Sequence, residues 1–477
     1  LVGSEMCIRD RRRIALVSLE FLYFFLPVFM GVYALSGVRF RKAVFLLGTV
    51  VLCLWVSTWG IIPMAVCAVV SYFCGRLIHR FADKKGLKRL WLILSVVVNM
   101  AVLLVFIRSG HSSYDVTSIF TGKGAMLKLF PVWGAGVFTL HGISYCMDIY
   151  RKEIEPEKNF LLVSQYICFF PCFYCGPILR FSDMSEQLRK PVITSGKLAE
   201  GIKLMLIGFA EKLFLSDPMY EMWQHIRGVS TDSLSAACAW LGIIAFSFAF
   251  YYELRAYSHI AQGIGSMLGF ELPDNFDLPF MSAGFNELIK RFACTFYSWV
   301  RDYFYRPICR NKDSVCLWAL ILSVFAGSVW YGYGRHTMLW AAFICVMLGI
   351  EYLLKNILAA VPTGVRCAVM NVLFLIGLPF LAIDSLPSAC GYVAAMLGGG
   401  SFAGDVLASY VIKTGVVMYL ICGFFATGIG RYLKRRIMQL NTNIVYIIEP
   451  MLTIGFLLIS TAFLVGGGNS SMNLFVR

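Results

Sequence analysis

The sequence predicts an all-α, polytopic membrane protein with about 11–12 transmembrane helices. Two observations predict this class. Of the 477 residues, 59% are hydrophobic and 14% are charged, whereas roughly a quarter of the residues in a soluble domain carry a charge. In addition, apolar segments of roughly 17 to 25 residues, the length that an α-helix needs to cross the hydrocarbon layer, recur from end to end.

About twelve such spans can be placed along the chain. The apolar segment 43–75 is too long for one span, and Gly60 and Pro63 mark the break that divides it into two. The predicted spans are 14–38, the pair in 43–75, 90–107, 127–149, 202–216, 234–252, 314–334, 336–350, 367–383, 406–430 and 444–467.

The net charge of +15 is explained by membrane orientation rather than by nucleic-acid binding. The basic residues concentrate in four short loops, 39–42, 76–89, 151–152 and 431–436. If the chain starts outside the cell, all four loops face the cytoplasm, as the positive-inside rule requires. We therefore expect both termini to be extracytoplasmic, the lipid bilayer to be the partner, and nucleic acid not to be one.

Two regions depart from simple spans. Gly176 and Pro177 interrupt the apolar run 160–180. Broken backbone at membrane depth is tolerated only inside protein or beside a wet cavity, so a re-entrant segment is predicted. The stretch 253–313 mixes charges with aromatic residues and is predicted to form short helices at the cytoplasmic interface.

The first eleven residues, "LVGSEMCIRDR", do not match the rest, and we interpret 1–11 as a sequencing artefact. Residues 12–477 are then expected to form a single membrane domain. Cys168, Cys172 and Cys175 contain a CxxC pair, but no charged or histidine neighbour is available to stabilise thiolates. We therefore favour a structural role for these cysteines and expect no metal site.

Several segments resemble one family, the membrane-bound O-acyltransferases, and within it the bacterial branch of alginate O-acetyltransferase and the teichoic-acid D-alanyl transfer protein. "GISYCMDIYR" at 142–151 resembles the "ISYLVDVYR" segment of that branch. "FFPCFYCGPILRFSDMSEQL" at 169–188 is similar to its "FFPQLIAGPIxRY" signature, and 251–280 and 290–308 match in the same order.

The resemblance implies a tunnel that is reached from both sides of the membrane. It also implies an acyl thioester donor, acetyl-CoA or an acyl carrier protein, with no bound cofactor, and a separate extracytoplasmic acyltransferase as partner. A bacterial cytoplasmic membrane location is implied as well. The residues expected to line the tunnel or contact substrate are Gly176, Pro177, Arg180, Tyr257, Asn275, Lys290, Arg291, Trp299, Arg301, Asp302, Trp330 and Gly332.

Acyl transfer to a hydroxyl group needs a base for the hydroxyl proton and donors for the oxyanion. The family supplies the base with a histidine in a "WHG" motif and has a second histidine in "RRWH". Aligned on Trp330 and Gly332, "VWYGYGRH" puts Tyr331 at the first position. "KRFACTFYSW" puts Ala293 at the second, so both expected imidazoles are absent. A tyrosine with its ordinary pKa of about 10 is a poor base.

Other histidines remain as alternatives. His336 is either a substitute base or a residue at the outer rim that bonds backbone. His141, inside a predicted span, is either functional or structural, because intramembrane ionisable groups are functional candidates by default. His259 has the same two interpretations.

Three functions stay open. The first is an acyltransferase or acyl relay that passes an acetyl-like group from a cytoplasmic thioester to an extracytoplasmic polysaccharide. The second is an inactive scaffold or partner subunit of the same fold, suggested by Ala293 and Tyr331. A transporter is the third, but transporters favour inverted repeats, and the sequence shows none.

Overall fold

The computed structural model describes residues 16–56, 60–109, 134–230, 233–309, 316–329, 335–399, 406–430, 436 and 442–466. All regular elements in these ranges are helices. The chain divides into two compact units. Among the described residues, unit 1 lies within Leu1–Met205 and Ser258–Pro273, and unit 2 lies within Leu206–Tyr257 and Asp274–Met472.

Unit 1 is formed by the first half of the chain. Its helices are α1 (Phe21–Leu35), α2 (Arg41–Val56), α3 (Ile61–Arg80), α4 (Lys85–Ser109), α5 (Ala135–Arg151), α6 (Phe160–Ile167), α7 (Phe181–Arg189) and the start of α8 (Ser195–Ala210). The apolar segment 43–75 is divided between α2 and α3, which begins directly after Gly60.

The residues between α5 and α6 form a polar connection. Asn159 caps α6, because its side chain accepts a hydrogen bond from the backbone N–H of Leu161 at 3.0 Å. Glu157 pairs with Arg189 of α7 at 2.6 Å. Burial acts to raise the pKa of the Glu157 carboxyl, but hydrogen bonds from the Asn159 backbone and Arg189 outweigh it and hold the pKa below its usual value.

In the segment 160–180 the helix stops well before Gly176. After α6 the chain makes a short 3₁₀ turn, Phe170–Cys172, and residues 176–180 are not helical. A Cβ at position 176 would lie 2.4 Å from the Cα of Cys172, so only glycine fits there. The backbone is therefore non-helical at the Gly-Pro pair, but the helix already ends at Ile167, and whether this segment re-enters the membrane stays a prediction.

Unit 2 contains the remaining helices. They are the π-helical turn Glu211–Ser216, α9 (Asp217–Arg227), α10 (Ala236–Met267), α11 (Phe285–Phe292), α12 (Cys294–Val300), the π-helical turn Arg301–Tyr305, α13 (Leu317–Val329), α14 (Arg335–Leu353), α15 (Thr363–Gly377), α16 (Leu386–Ala394), α17 (Val406–Ala426) and α18 (Thr442–Val465). The short helices Arg306–Ile308, Lys355–Ala360 and Pro379–Ala382 connect longer ones.

Helix α10 is the longest element of those described here, with 32 residues. At 1.5 Å per residue it is roughly 48 Å long and exceeds the hydrocarbon thickness. Its last residues belong to unit 1, and it includes 253–267, the first part of the segment expected to form short interfacial helices. The rest of that segment does form short helices, from the turn Pro279–Met281 to Ile308.

In the described part of the chain, six helices are long and apolar enough to cross a membrane. Many of their large apolar side chains point outward, for example Val417 at 64% and Leu420 at 68% exposure. Such surfaces are unfavourable in water and match a lipid environment. The prediction of an all-α polytopic membrane protein is confirmed, and the count of 11–12 spans stays a prediction.

Candidate functional site

Unit 2 contains a cavity of about 510 Å³ between α11, α12, α13, α14 and α15. Most of its wall is apolar. The large side chains there are Phe250, Phe292, Phe296, Leu320, Trp340 and Phe374. A cavity of this size, with an apolar body and a few polar groups, is the usual form of a small-molecule site.

Ala293 lies on the cavity wall at the corner between α11 and α12. Helix α11 buries Phe285, Leu288 and Phe292, which follow the spacing of one helical face, and the chain turns at the next residue. Position 293 therefore faces the cavity, but a methyl group offers no atom that accepts a proton.

Asn275 holds this corner in place. Its carbonyl oxygen accepts the backbone N–H of Cys294 at 2.8 Å. Its side-chain Oδ1 accepts the backbone N–H of Thr295 at 3.2 Å and the Thr295 hydroxyl at 2.6 Å. Asn275 thus satisfies donors at the start of α12 that the helix itself leaves open, and it positions Ala293 rather than contacting the cavity.

Arg301 brings positive charge to the cavity wall. Its Nε and Nη2 atoms donate to the two carboxylate oxygens of Asp302 at 2.9 and 3.1 Å. Arg306 contacts the same carboxylate at 2.9 Å. One buried carboxylate is therefore shared by two guanidinium groups, which leaves net positive charge at this side of the cavity.

A second polar group closes the same side. Glu351 lies near the end of α14, Lys355 begins the short helix that follows, and both line the cavity. The Glu351 carboxylate accepts the backbone N–H of Asn286 at 2.8 Å, at the N-terminus of α11. The sequence-based topology places Arg301, Asn286 and Glu351 together at the cytoplasmic side.

Tyr297 is the tyrosine nearest to Ala293 along the chain, and it also lines the cavity. Burial raises the pKa of its phenol above the usual value, and nearby Arg301 opposes this only in part. Tyr297 therefore stays protonated and suits hydrogen-bond donation rather than proton abstraction.

The cavity hydroxyls of Ser323 and Ser328 donate to backbone carbonyls of their own helix at 2.6 and 2.8 Å.

The described wall of the cavity contains no histidine, and Glu351 is its one carboxylate. Trp330, Tyr331 and Gly332 lie outside the described residues. The helix that precedes them, α13, lines the cavity through Gly327 and Ser328.

His336 is not among the described residues of this cavity wall. Its Nε2 atom lies 3.9 Å from Oδ1 of Asp384, whose other oxygen is 3.5 Å from Arg227. Asp384 and Arg227 line a separate cleft of about 400 Å³. All three residues fall in segments that the sequence-based topology places outside, and the position of His336 at the outer rim stays a prediction.

The other predicted residues divide between the two units. Lys290 is exposed, and Arg291 pairs with Glu287 at 2.7 Å. Trp299 is buried against Tyr303 with ring centroids 5.2 Å apart. Tyr257 is buried in unit 2, whereas Gly176, Pro177 and Arg180 belong to unit 1. Of the predicted residues, Ala293 and Arg301 line the cavity, and Asn275 and Asp302 hold them.

Sequence reasoning missed Glu351 and Lys355. A signal was available, because two charges four residues apart follow the long apolar run of α14, a spacing that would put both on one face of a continuing helix; in the structure Lys355 begins the next short helix. The aromatic wall residues carried no such signal, since buried aromatic residues recur throughout the chain.

His141 of unit 1 is fully buried, and both of its ring nitrogens are used. Nε2 accepts the backbone N–H of Leu179 at 3.1 Å, so Nδ1 carries the proton and donates to the carbonyl of Tyr166 at 3.2 Å. The imidazole ring stacks on the Tyr166 ring at 4.9 Å. His141 therefore fixes the Gly-Pro segment, and the structural interpretation is the one its contacts support.

The fold and the cavity define a polytopic membrane protein with a mainly apolar cavity among its helices. Residues 51–382 match the membrane-bound O-acyltransferase family, and the chain belongs to this family. The resemblance seen in the sequence is thereby confirmed.

Curated relatives lie in the bacterial branch. The chain is 29% identical over 418 residues to a probable alginate O-acetylase AlgI of Pseudomonas aeruginosa, covering 85% of this chain and 80% of the relative. It is 26% identical to a peptidoglycan O-acetyltransferase of Helicobacter pylori, covering 69% of each. It is 23% identical to a teichoic acid D-alanyltransferase of Lacticaseibacillus rhamnosus, covering 59% of this chain and 69% of the relative.

Proposed function

We propose that this chain takes part in acyl transfer, passing an acetyl-like group from a thioester on the cytoplasmic side to a polysaccharide outside the membrane. The cavity with Ala293 and Arg301 on its wall carries the proposal, because it lies in the segment that matches the family. The names of the relatives supply the acyl groups and the polymers.

The donor fits the charges of the cavity. Coenzyme A and the prosthetic group of an acyl carrier protein both carry phosphate next to a thioester arm. Arg301 and Lys355, with Arg306 beside them, would pair with such phosphates, while the apolar wall would hold the acyl end. In the reaction the thioester C–S bond breaks, the hydroxyl oxygen bonds to the acyl carbon, and the hydroxyl proton ends on the released thiol.

We place the chain in a bacterial cytoplasmic membrane, by analogy with its bacterial relatives. An extracytoplasmic acyltransferase is the proposed partner that completes the transfer to the polymer. The basic cytoplasmic loops suit an acidic protein such as an acyl carrier protein.

A second function is favoured by one observation. The described cavity wall has no histidine, and Ala293 has no proton-accepting atom. A chain that keeps the cavity but has no side chain to accept the hydroxyl proton would act as a non-catalytic scaffold or partner subunit of an acylation system.

Complementation separates the two. The chain is expressed in a bacterium that lacks its own alginate O-acetylase, and polymer-bound acetate and total cell-envelope ester are measured. Active transfer predicts ester that disappears in Ala293→Trp, which fills the cavity, and persists in Ala359→Trp, the same substitution at an exposed position. Ester formation unaffected by Ala293→Trp would count against a role of this cavity.

The scaffold function predicts a different pattern. The unmodified chain forms no ester, and ester appears only when the imidazoles are restored, in Tyr331→His combined with Ala293→His. Ester production by the unmodified chain would refute the scaffold function. Expression levels, followed through a terminal tag, control for loss of protein.

A further inference from the structure

A group of charged side chains lies buried in unit 2, and none of them lines the described wall of the cavity. Lys212 and Ser216 lie in the π-helical turn Glu211–Ser216, Asp217 begins α9, and Glu253 lies on α10. The side chains of Lys212, Asp217 and Glu253 are 2%, 5% and 1% exposed. Such π-helical turns within a helix often mark functional positions.

The Lys212 ammonium is the centre of the group. It contacts Oδ1 of Asp217 and lies 2.8 Å from Oε2 of Glu253. Ser216 Oγ lies 2.8 Å from the same Glu253 oxygen and 3.0 Å from the carbonyl of Ala249. One cation thus faces two carboxyl groups, so the group carries one net negative charge if both are ionised.

The nearest cation on α10 is engaged with another acid. Arg255 on α10 pairs with Glu211 at 3.3 Å and with the Tyr251 hydroxyl at 3.2 Å. Glu221, one turn along α9, is an exposed acid and adds no cation. The buried Oε1 atom of Glu253 has no hydrogen-bond partner among the described residues. Ionising a buried carboxyl group is strongly disfavoured when one of its oxygens has neither water nor another hydrogen-bond donor beside it.

We propose that Lys212, Asp217 and Glu253 form a proton-binding site that holds one proton between the two carboxyl groups at neutral pH. The proton leaves one ammonium, one carboxylate and one neutral carboxyl group, so the buried charges balance. A metal cation fits less well, because it would stand beside the Lys212 ammonium and be repelled. The site adjoins the cavity through α10, on which Phe250 lines the cavity one turn before Glu253.

Infrared spectroscopy on the full chain in lipid nanodiscs tests the proposal. At pH 7 the protein should show the C=O stretch of a buried protonated carboxyl group, shifted in D₂O. Glu253→Gln and Asp217→Asn should each lose this band, because one carboxylate then suffices for Lys212. Glu271→Gln, at an exposed acid, is the control and should keep it. A band unchanged in both buried variants would overturn the proposal.

The pH dependence of unfolding is the second measurement. If a carboxyl group keeps its proton in the folded protein but loses it on unfolding, the unfolding equilibrium constant rises about tenfold for each unit of increasing pH. The rise ends at the pH where the folded protein also releases the proton. His141 contributes equally to all variants and cancels in the difference between unmodified protein and Glu253→Gln. Equal pH slopes, or a Tm that depends on Na⁺ or K⁺ instead of pH, would contradict a proton site.

If neither variant folds, the unmodified protein still decides the matter. Its carboxyl band should disappear, and its Tm fall, as the pH rises from about 7 to 10, above the titration of ordinary carboxyl and imidazole groups. Absence of the band at pH 7 would refute the site without any substitution.

Discussion

Replacing His141 by alanine tests whether this buried histidine is structural or catalytic. In the folded protein its ring joins α5 to the Gly-Pro segment through the backbone N–H of Leu179, and to α6 through the carbonyl of Tyr166. Both bonds are lost in His141→Ala, together with the ring contact to Tyr166.

The expected loss of stability follows from the groups that His141→Ala leaves without a partner. The buried N–H of Leu179 would be left unsatisfied, which costs about 1–3 kcal/mol, and the bond to Tyr166 contributes about 1 kcal/mol more. Removing a fully buried ring leaves a cavity that adds to this. We expect His141→Ala to lower the free energy of unfolding by about 3–5 kcal/mol.

The assay is thermal unfolding in lipid nanodiscs, followed by tryptophan fluorescence, together with ester formation per folded molecule. His79→Ala is the matched control, because His79 is exposed at the end of α3, and its effect should stay within about 0.5 kcal/mol. A His141→Ala protein with unchanged Tm but no ester formation would refute the structural role and make His141 a catalytic candidate.

Three further predictions follow from the packing and the loops. Gly263→Ala places a Cβ 2.5 Å from the backbone nitrogen of Met205 on α8 and should lower the free energy of unfolding by about 1–3 kcal/mol. Gly349→Ala is the control, because its Cβ meets nothing within 4 Å, and it should keep or raise the Tm in a thermal scan. The pKa of Glu157 is lowered in the folded protein, so the ionised side chain stabilises the fold. This contribution is present above the pKa of about 4.3 in the unfolded chain and is lost as the pH falls through the pKa in the folded protein. Glu157→Gln should therefore lower the Tm at pH 7 but not at pH 3, and an equal loss at both would contradict this. Asn275→Ala should lower the free energy of unfolding by about 1–3 kcal/mol, because the Thr295 N–H loses its acceptor. It should also weaken ester formation, because the corner at Ala293 is displaced. Asn275→Asp keeps the acceptor and should retain most of the stability and most of the ester formation.

The composition and the apolar segments were enough to predict the class of protein and most helices. The break between α2 and α3 followed from Gly60 and Pro63, and the non-helical residues just before α7 from Gly176 and Pro177, whereas the end of α6 at Ile167 was not predicted. Helix α10 was harder, because Glu253 suggests an end to the span. The helix continues past Glu253, whose carboxyl group contacts Lys212 and Ser216 inside the protein.

The candidate site was predictable only where polar landmarks fixed the register of the chain. Ala293 and Arg301 were identified in this way, and both lie on the cavity wall. Glu351 and Lys355 come from other helices, and no local pattern says that α14 ends beside Arg301. Asn275 was expected to line the tunnel, whereas its hydrogen bonds show that it holds the start of α12.

The sequence by itself determined the membrane environment and the family, because periodic apolar segments and ordered motifs are properties of the chain. Only the tertiary structure decided which polar groups meet. The two ring nitrogens of His141 meet Leu179 and Tyr166, which supports a structural role. Lys212 faces two acids because α9 and α10 pack together around it. Such pairings depend on distances between segments far apart in the chain, and burial then determines whether a charge, a proton or a hydrogen bond is stable there.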